Sequence, residues 1–243
     1  GIKHKKGRQD KLRSKIFSKI SREITVAAKL GSKDPDTNHR LRAAIETAKS
    51  ANMPKENITR AISKSENQKG ANFYSLRYEG FGPNNIALII ETLTDNKNRT
   101  AGNVRKNLQK FGGSLASDGS TTHFFDNFGV IQFSREGISD EKALDYAATL
   151  GAKDCFSYED FHEIITIKED FYRVKNESRK LIKKFDYSGI EWRPKNKVSL
   201  KKDDEKKLVN LLEILEDDDD IQKIFHNCNF CLLYTSDAAD DRM

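Results

Sequence analysis

At 243 residues, with 36% hydrophobic and 33% charged residues, the chain can bury cores for one to three domains, though modest ones. No run approaches the roughly 18 apolar residues of a membrane helix, no signal-peptide h-region follows the start, and three cysteines make no disulfide framework. The charge is uneven: residues 1–70 hold 18 Lys/Arg against 7 Asp/Glu, a net of +11, so the remainder sums to −5 within the overall +6.

Residues 3–24, KHKKGRQDKLRSKIFSKISREI, carry nine Lys or Arg against Asp10 and Glu23. Leu12, Ile16, Ile20 and Ile24 recur every four residues with Phe17 beside them, the spacing of one helical face. A first helix is expected over 9–30, stopped by Gly31 and the Asp34-Pro35 step. A second spans 37–51, with Leu41, Ala44, Ile45 and Ala48 on one side. A third opens at Pro54, with Ile58, Ala61 and Ile62 facing inward. Short helices with narrow stripes are stable only by packing on one another. Residues 1–70 therefore read as a basic three-helix bundle held by Leu12, Ile16 and Ile20, closed by the polar linker KSENQKGAN (64–72).

From residue 73 the period changes to two. FYSLRYEGF (73–81), the turn GPNN (82–85) and IALIIETLT (86–94) spell a β-hairpin. A helix follows over 101–113, with Asn98 placed to cap it and Gly112-Gly113 to end it. Strands are expected at 118–125 and 129–134, then a helix at 139–152 with Asp140 and Glu141 in its first turn, where the helix dipole favours them. Next come a strand at 161–168, a helix at 169–185 and an extended stretch at 189–200, where Pro194 argues for an edge. A Leu-striped helix (203–220) and a strand (221–227) finish the pattern. The order suits layered helices and antiparallel sheets, an α+β chain. The last helix and strand would complete the sheet begun at 73. That makes 73–127 plus 199–230 one ferredoxin-like α/β domain and 128–198 a second, inserted in it. The tail CLLYTSDAADDRM (231–243) matches no element and reads as non-native sequence, and Gly1 reads as a trimmed start.

Chemistry is sparse. His4, His39, His123, His162 and His226 are scattered, with no triad or metal partner at a useful spacing. Cys228 and Cys231, beside His226, lack the further ligands zinc needs. YEGFGPNN has too few glycines and no following helix to cradle a phosphate. EDDDD (216–220) ends a helix without the alternating ligands of a calcium loop and reads as a solvated turn. FGVIQF (128–133) faintly resembles an RNP strand, but Phe128 and Phe133 read better as core. The corner TDNKNRT (94–100) offers Arg99 and a helix start to an anion, or simply a cap and a turn. No enzyme, metal, cofactor, small-molecule substrate or membrane is expected.

A polyanionic partner for the basic end is expected instead. Phosphate contact needs only Lys and Arg arrayed along a face. The candidates are Lys3, His4, Lys5, Lys6, Arg8, Lys11, Arg13, Lys15, Lys19 and Arg22, then Arg40, Arg42, Lys55 and Arg60. Tyr78, Glu79 and Arg99 form a second tier. Six such contacts would give a salt slope of about −4 to −5. No helix carries the Asn, Gln and Arg set of a major-groove reader. Structured RNA, such as a ribosome, is therefore favoured over duplex DNA, and a scaffold docking an acidic protein is a third possibility.

Several long motifs in order, IKHKKGRQDKLRSKIFSKISREITVAAKLG, LRAAIETAKSANMPKENITRAI, YEGFGPNNIALIIETLTDNKNRT and GGSLASDGS, resemble the YebC/PmpR family, which includes mitochondrial relatives that activate translation. The likeness runs from residue 2 to about 227. It is strongest over 2–120, while over 134–198 only the element order matches. It implies a helical N-terminal domain followed by an α/β domain with another inserted in it, and a non-enzymatic role in gene expression. Members are described both as DNA-binding transcriptional regulators and as ribosome-associated factors that help elongation through difficult stretches such as consecutive prolines. The implied location is a bacterial cytoplasm or an organellar matrix. Members usually begin further upstream, with a polar lead containing His and Trp, and have no counterpart to the tail after Phe230.

Overall fold

The computed structural model describes residues 2–67 and 72–231, with side chains from residue 10 onward. Apart from Cys231, the tail lies outside the described residues. Helix α1 (Ile2–Leu30) starts well before residue 9, because the Lys, Arg and Gln of 3–9 are good helix formers and Gly7 alone does not stop them. It is followed by α2 (His39–Ser50), whose N-cap Asn38 accepts the Leu41 N–H, and by α3 (Lys55–Lys64) after Pro54.

Residues 20–64 of these helices share a core of Ile24, Ala27, Ala28, Leu41, Ala44, Ala48, Ile58 and Ala61, all buried. Thr25 Oγ1 donates to Ala61 O at 2.7 Å. Arg40 donates to both oxygens of Glu23, at 2.7 and 3.1 Å. Leu12 and Ile16 are not in this core. They are 42% and 50% exposed, which corrects the expectation that they hold the bundle. The reason is length: at 1.5 Å per residue α1 runs about 43 Å, whereas α2 and α3 reach only about 18 and 15 Å and cover one end of it.

Contacts gather the described residues into two compact units. One comprises residues 2–19, 72–126 and 193–231, the other 20–67 and 127–192. In chain order the remaining elements are β1 (Tyr74–Phe81), β2 (Ala87–Thr94), α4 (Lys97–Lys110), β3 (Ser114–Ala116), β4 (Phe125–Ser134), α5 (Asp140–Leu150), β5 (Asp154–Ser157), β6 (Phe161–Ile167), α6 (Phe171–Ser178), β7 (Tyr187–Pro194), α7 (Lys202–Glu216) and β8 (Ile221–His226).

The first unit holds the sheet β3-β1-β2-β8. β1 and β2 pair antiparallel from Tyr74↔Thr94 to Phe81↔Ala87, so the hairpin forms as expected. Its turn uses Asn84 and Asn85 at φ 51° and 59°, the left-handed region that Asn tolerates. β8 arrives from the far end of the chain to pair antiparallel with β2, and the four strands of the other sheet lie between β3 and β8 in chain order. One face of the sheet buries Ile86, Leu88 and Ile90 against Val104 and Leu108 of α4 and Leu208, Leu211 and Leu215 of α7. The return from α4 to β3 is so close that a Cβ on Gly113 would lie 1.9 Å from Phe81 O.

The second unit's sheet runs β5-β6-β4-β7. Its chain order, βαββαβ, is the split βαβ arrangement. Ile131, Phe133 and Ile164 pack beneath Ala143, Ala147 and Leu150 of α5 and Phe171 and Val174 of α6. Phe133 is fully buried, so FGVIQF offers no stacking platform there.

Four local expectations change. α4 begins at Lys97 with Asn96 as its cap, the Asn96 side chain accepting the Arg99 N–H at 3.0 Å, so Asn98 lies inside the helix. Residues 118–124 form turns rather than a strand, because the carboxylate of Glu79 collects their N–H groups. The strand β5 is short and mostly exposed, leaving no alternation to read. The helix expected to reach 185 stops at Ser178, whose hydroxyl donates back to Lys175 O at 2.7 Å, a competition typical of serine.

Candidate nucleic-acid interface

On an α-helix, steps of three and four residues put side chains on one side. Lys11, Lys15, Lys19 and Arg22 follow those steps along α1. Two of the four point inward. Lys15 Nζ donates to Asp217 O at 2.8 Å and to Asp219 Oδ1 at 3.0 Å, and Lys19 Nζ donates to Glu216 O at 2.6 Å. Both ammonium groups thus cap the carbonyl end of α7, where the helix dipole favours cations. The hydrogen bond that Lys15 donates to Asp219 raises its pKa, whereas burial lowers that of Lys19. The acidic turn 216–220, expected to be solvated, is therefore the protein's own partner for part of the basic face. Nothing in the sequence links the two segments, which lie about two hundred residues apart.

The other candidates divide by surroundings. Lys11 and Arg13 are exposed on α1, with the Arg13 guanidinium 5.1 Å from the centre of the Phe17 ring. Lys55 and Arg60 are exposed on α3, and Arg22 is half-buried. Arg40 is held by Glu23, and Arg42 donates to Pro35 O at 2.9 Å and Asp36 O at 2.6 Å, fixing the loop between α1 and α2. Lys3, His4, Lys5, Lys6 and Arg8 lie on the helical backbone of α1, outside the residues whose side chains are described.

The second tier falls into two separate networks, one around Glu79 and one at the corner that holds Arg99. Glu79 is 1% exposed. It accepts N–H groups from Gly119 (2.7 Å), Thr121 (3.0 Å) and Thr122 (2.9 Å) and the Thr121 hydroxyl (3.1 Å). Burial alone would push its carboxyl up, but these bonds outweigh it and hold the group below the ordinary carboxylate value. Tyr78 is half-buried against the sheet core, and burial raises its hydroxyl. Arg99 grips the buried Asp220 with two bonds, at 3.0 and 2.7 Å, and reaches Asp95 at 2.6 Å. Thr100 Oγ1 adds a 2.9 Å bond to Asp220. The corner's charge is spent on itself, and Arg99 is engaged there rather than presented to an outside anion.

Ser157 Oγ and His162 Nδ1 are 2.7 Å apart, but the buried ring also meets Ile138 O through Nε2 at 2.8 Å, so the pair ties β5 to β6. Burial pushes the Cys228 thiol up to about 11. No helix among the described residues is long and apolar enough to cross a membrane.

Three N-terminal helices with exposed cations, followed by two antiparallel sheets of which one interrupts the other, define a basic multidomain α+β protein. Comparison with known proteins gives the class a family. The model for the TACO1/YebC protein N-terminal domain matches residues 1–68, and that for the TACO1/YebC second and third domain matches 73–228. The chain is 52% identical over 229 residues to a protein of Pelagibacter ubique named probable transcriptional regulatory protein, covering 94% of this chain and 95% of that one. It is 47% identical over 226 residues to a protein of the same name from Zymomonas mobilis, covering 93% and 91%. The crystal structure of a conserved hypothetical protein from Aquifex aeolicus matches with a TM-score of 0.80 at 39% identity, over 89% of this chain and 90% of that one. The chain belongs to the TACO1/YebC family.

Proposed function

We propose that this protein is a non-enzymatic regulator of gene expression that works by gripping nucleic-acid backbone, with ribosomal RNA on the ribosome as its target. There it would help elongation through difficult stretches such as consecutive prolines. The observation that carries this is the set of exposed cations, Lys11 and Arg13 on α1 and Lys55 and Arg60 on α3, within a segment of net charge +11. Exposed cations suit phosphates, which need no fixed pattern. Residues 1–70 would be the contacting domain, with 73–127 plus 199–230 and the inserted 128–198 as the body. The work would take place in a bacterial cytoplasm or an organellar matrix.

A second function, transcriptional regulation on duplex DNA, is favoured by the names of the two bacterial relatives. One experiment separates them: partition onto purified ribosomes against affinity for random duplex DNA, both titrated across salt. Ribosome binding that survives near-physiological salt while DNA binding is lost is the expected result. Equal or stronger DNA binding, above all with a preferred promoter fragment, would move the function to transcription. Binding to neither would leave a protein scaffold.

A further inference from the structure

The segment RKLIKKF (179–185) sits in the part of the chain whose net charge is negative, and it was expected to be helix. The structure ends α6 before it, so Lys183 and Lys184 stand exposed in an irregular turn. In the same compact unit, this turn and the end of α2 line a cavity of about 320 Å³. Lys49, Arg179, Lys183 and Lys184 supply its cations, Glu46 its carboxylate, and Phe185 an apolar wall.

The cavity is built rather than incidental. Ser50 Oγ donates to Phe185 O at 2.9 Å, fixing the turn to α2. Glu46 accepts Arg179 Nη1 at 2.6 Å and lies 3.3 Å from the Nζ of Lys175, itself only 4% exposed. One carboxylate thus meets two cations, while Lys49, Lys183 and Lys184 line the same cavity. The Arg179 guanidinium lies 5.4 Å from the centre of the Phe185 ring, and its Nε is buried with no hydrogen-bond acceptor from the protein. A buried donor without an acceptor is costly, and an excess of positive charge around it favours an anion. Lysines act as mobile point charges for phosphate, while a stacked, partly satisfied arginine is oriented in advance.

We propose that this cavity is a phosphate-contact site, built from residues other than those of α1, that receives a phosphodiester of the RNA backbone. The inference deepens the nucleic-acid function proposed above and rests on it. The site is composite: α2 belongs to the segment matched by the N-terminal family model and the 179–185 turn to the segment matched by the other. Neither segment alone supplies all of its cations.

The test uses the full chain and a fluorescein-labelled RNA hairpin, with affinity measured by anisotropy across a potassium chloride series. Three double variants are compared: Lys183→Gln with Lys184→Gln in the cavity, Lys11→Gln with Arg13→Gln on α1, and Lys197→Gln with Lys201→Gln as an exposed control of equal charge loss. The cavity variant is expected to bind about tenfold or more weakly near 0.1 M salt, with the salt slope shallower by about 1.4–1.8, the equivalent of two lost phosphate contacts. The control should move far less. If the cavity variant keeps wild-type affinity and slope while the α1 variant loses both, the cavity is no contact site and the nucleic-acid function stands. A control variant as weak as the cavity variant overturns the site in favour of general charge. A wild-type protein with no salt-dependent RNA binding overturns both proposals.

Discussion

The first half of α1 and the networks around Glu79 and Arg99 are both candidates for nucleic-acid contact by sequence, and they are opposites. Between residues 10 and 19, α1 has no buried residue, and Lys11 and Arg13 stand in solvent. In those two networks Glu79, Thr100 and Asp220 are almost wholly buried, and Glu79, Arg99 and Asp220 each have a partner within hydrogen-bond reach. Both are rich in charge and both look functional in the sequence. The difference lies in what comes within reach after folding. Where an opposite charge arrives from elsewhere in the chain, the group holds structure, and where none arrives it is left for a partner.

That contrast predicts a ranked series of stability losses. Among the charged groups the largest belongs to Asp220→Asn, which removes the acceptor charge from the two-pronged Arg99 pair. Arg99 is 43% exposed and so partly solvated once released, which places the loss at about 2–3 kcal/mol rather than the full cost of a buried orphan. Urea unfolding measures it, and a loss near zero would mean the corner is not the structural hub described above.

Glu79→Gln comes next, at about 1–3 kcal/mol near neutral pH, and its signature is pH dependence. The folded-state carboxyl titrates below its ordinary value of 4.5. Its stabilisation is therefore complete above that value and is lost as pH falls through the lower folded-state value. Wild type and Glu79→Gln should differ most at pH 6–7 and converge as acid is added. A gap that stays constant down to pH 3 would contradict the geometry of the 119–122 turn.

Much of this architecture was legible beforehand. The 74–94 hairpin declared itself through alternation bounded by Gly-Pro-Asn-Asn, and the return of the last strand to the first sheet followed from element order. What escaped was decided by partners rather than by local pattern. The period of α1 continues unbroken through Leu12, Ile16, Ile20 and Ile24, but whether a stripe is covered depends on the lengths of α2 and α3. Leu181, Ile182 and Phe185 keep a helical rhythm after α6 has ended, because Ile182 and Phe185 reach the core from a turn. Asn96 and Asn98 are equally good caps by type, and only the backbone chooses between them. In the candidate interface, residue type was visible and engagement was not. Nothing in the spacing of Lys15 and Lys19 announces the end of α7.

Lys15→Ala should cost little, about 0.3–1 kcal/mol. The ammonium is partly exposed and its bonds to Asp217 and Asp219 compete with water. Since the hydrogen bond with Asp219 raises its pKa, the contribution is present at neutral pH and vanishes as pH climbs above the usual lysine range. It should also shrink in molar salt, which a denaturation series with added sodium chloride would register. A loss indifferent to salt would indicate packing of the side-chain stem instead.

The smallest effect, at Ile16, tests the contrast most directly when it is set beside a core isoleucine on the same helix. Ile24→Ala removes a fully buried side chain and should cost about 2–5 kcal/mol, as core truncations do. Ile16→Ala, two turns earlier on the same stripe, removes a side chain that is half exposed and should change stability by no more than about 0.5 kcal/mol. Alanine is also the better helix former of the two, so the sign at position 16 can even be favourable. Equal losses at the two positions would mean that the first half of α1 is covered in solution, and the case for its cations as a free face would fall with that result. A large loss at 24 beside none at 16 leaves Lys11 and Arg13 on a helix whose apolar stripe does not hold the fold together at that point.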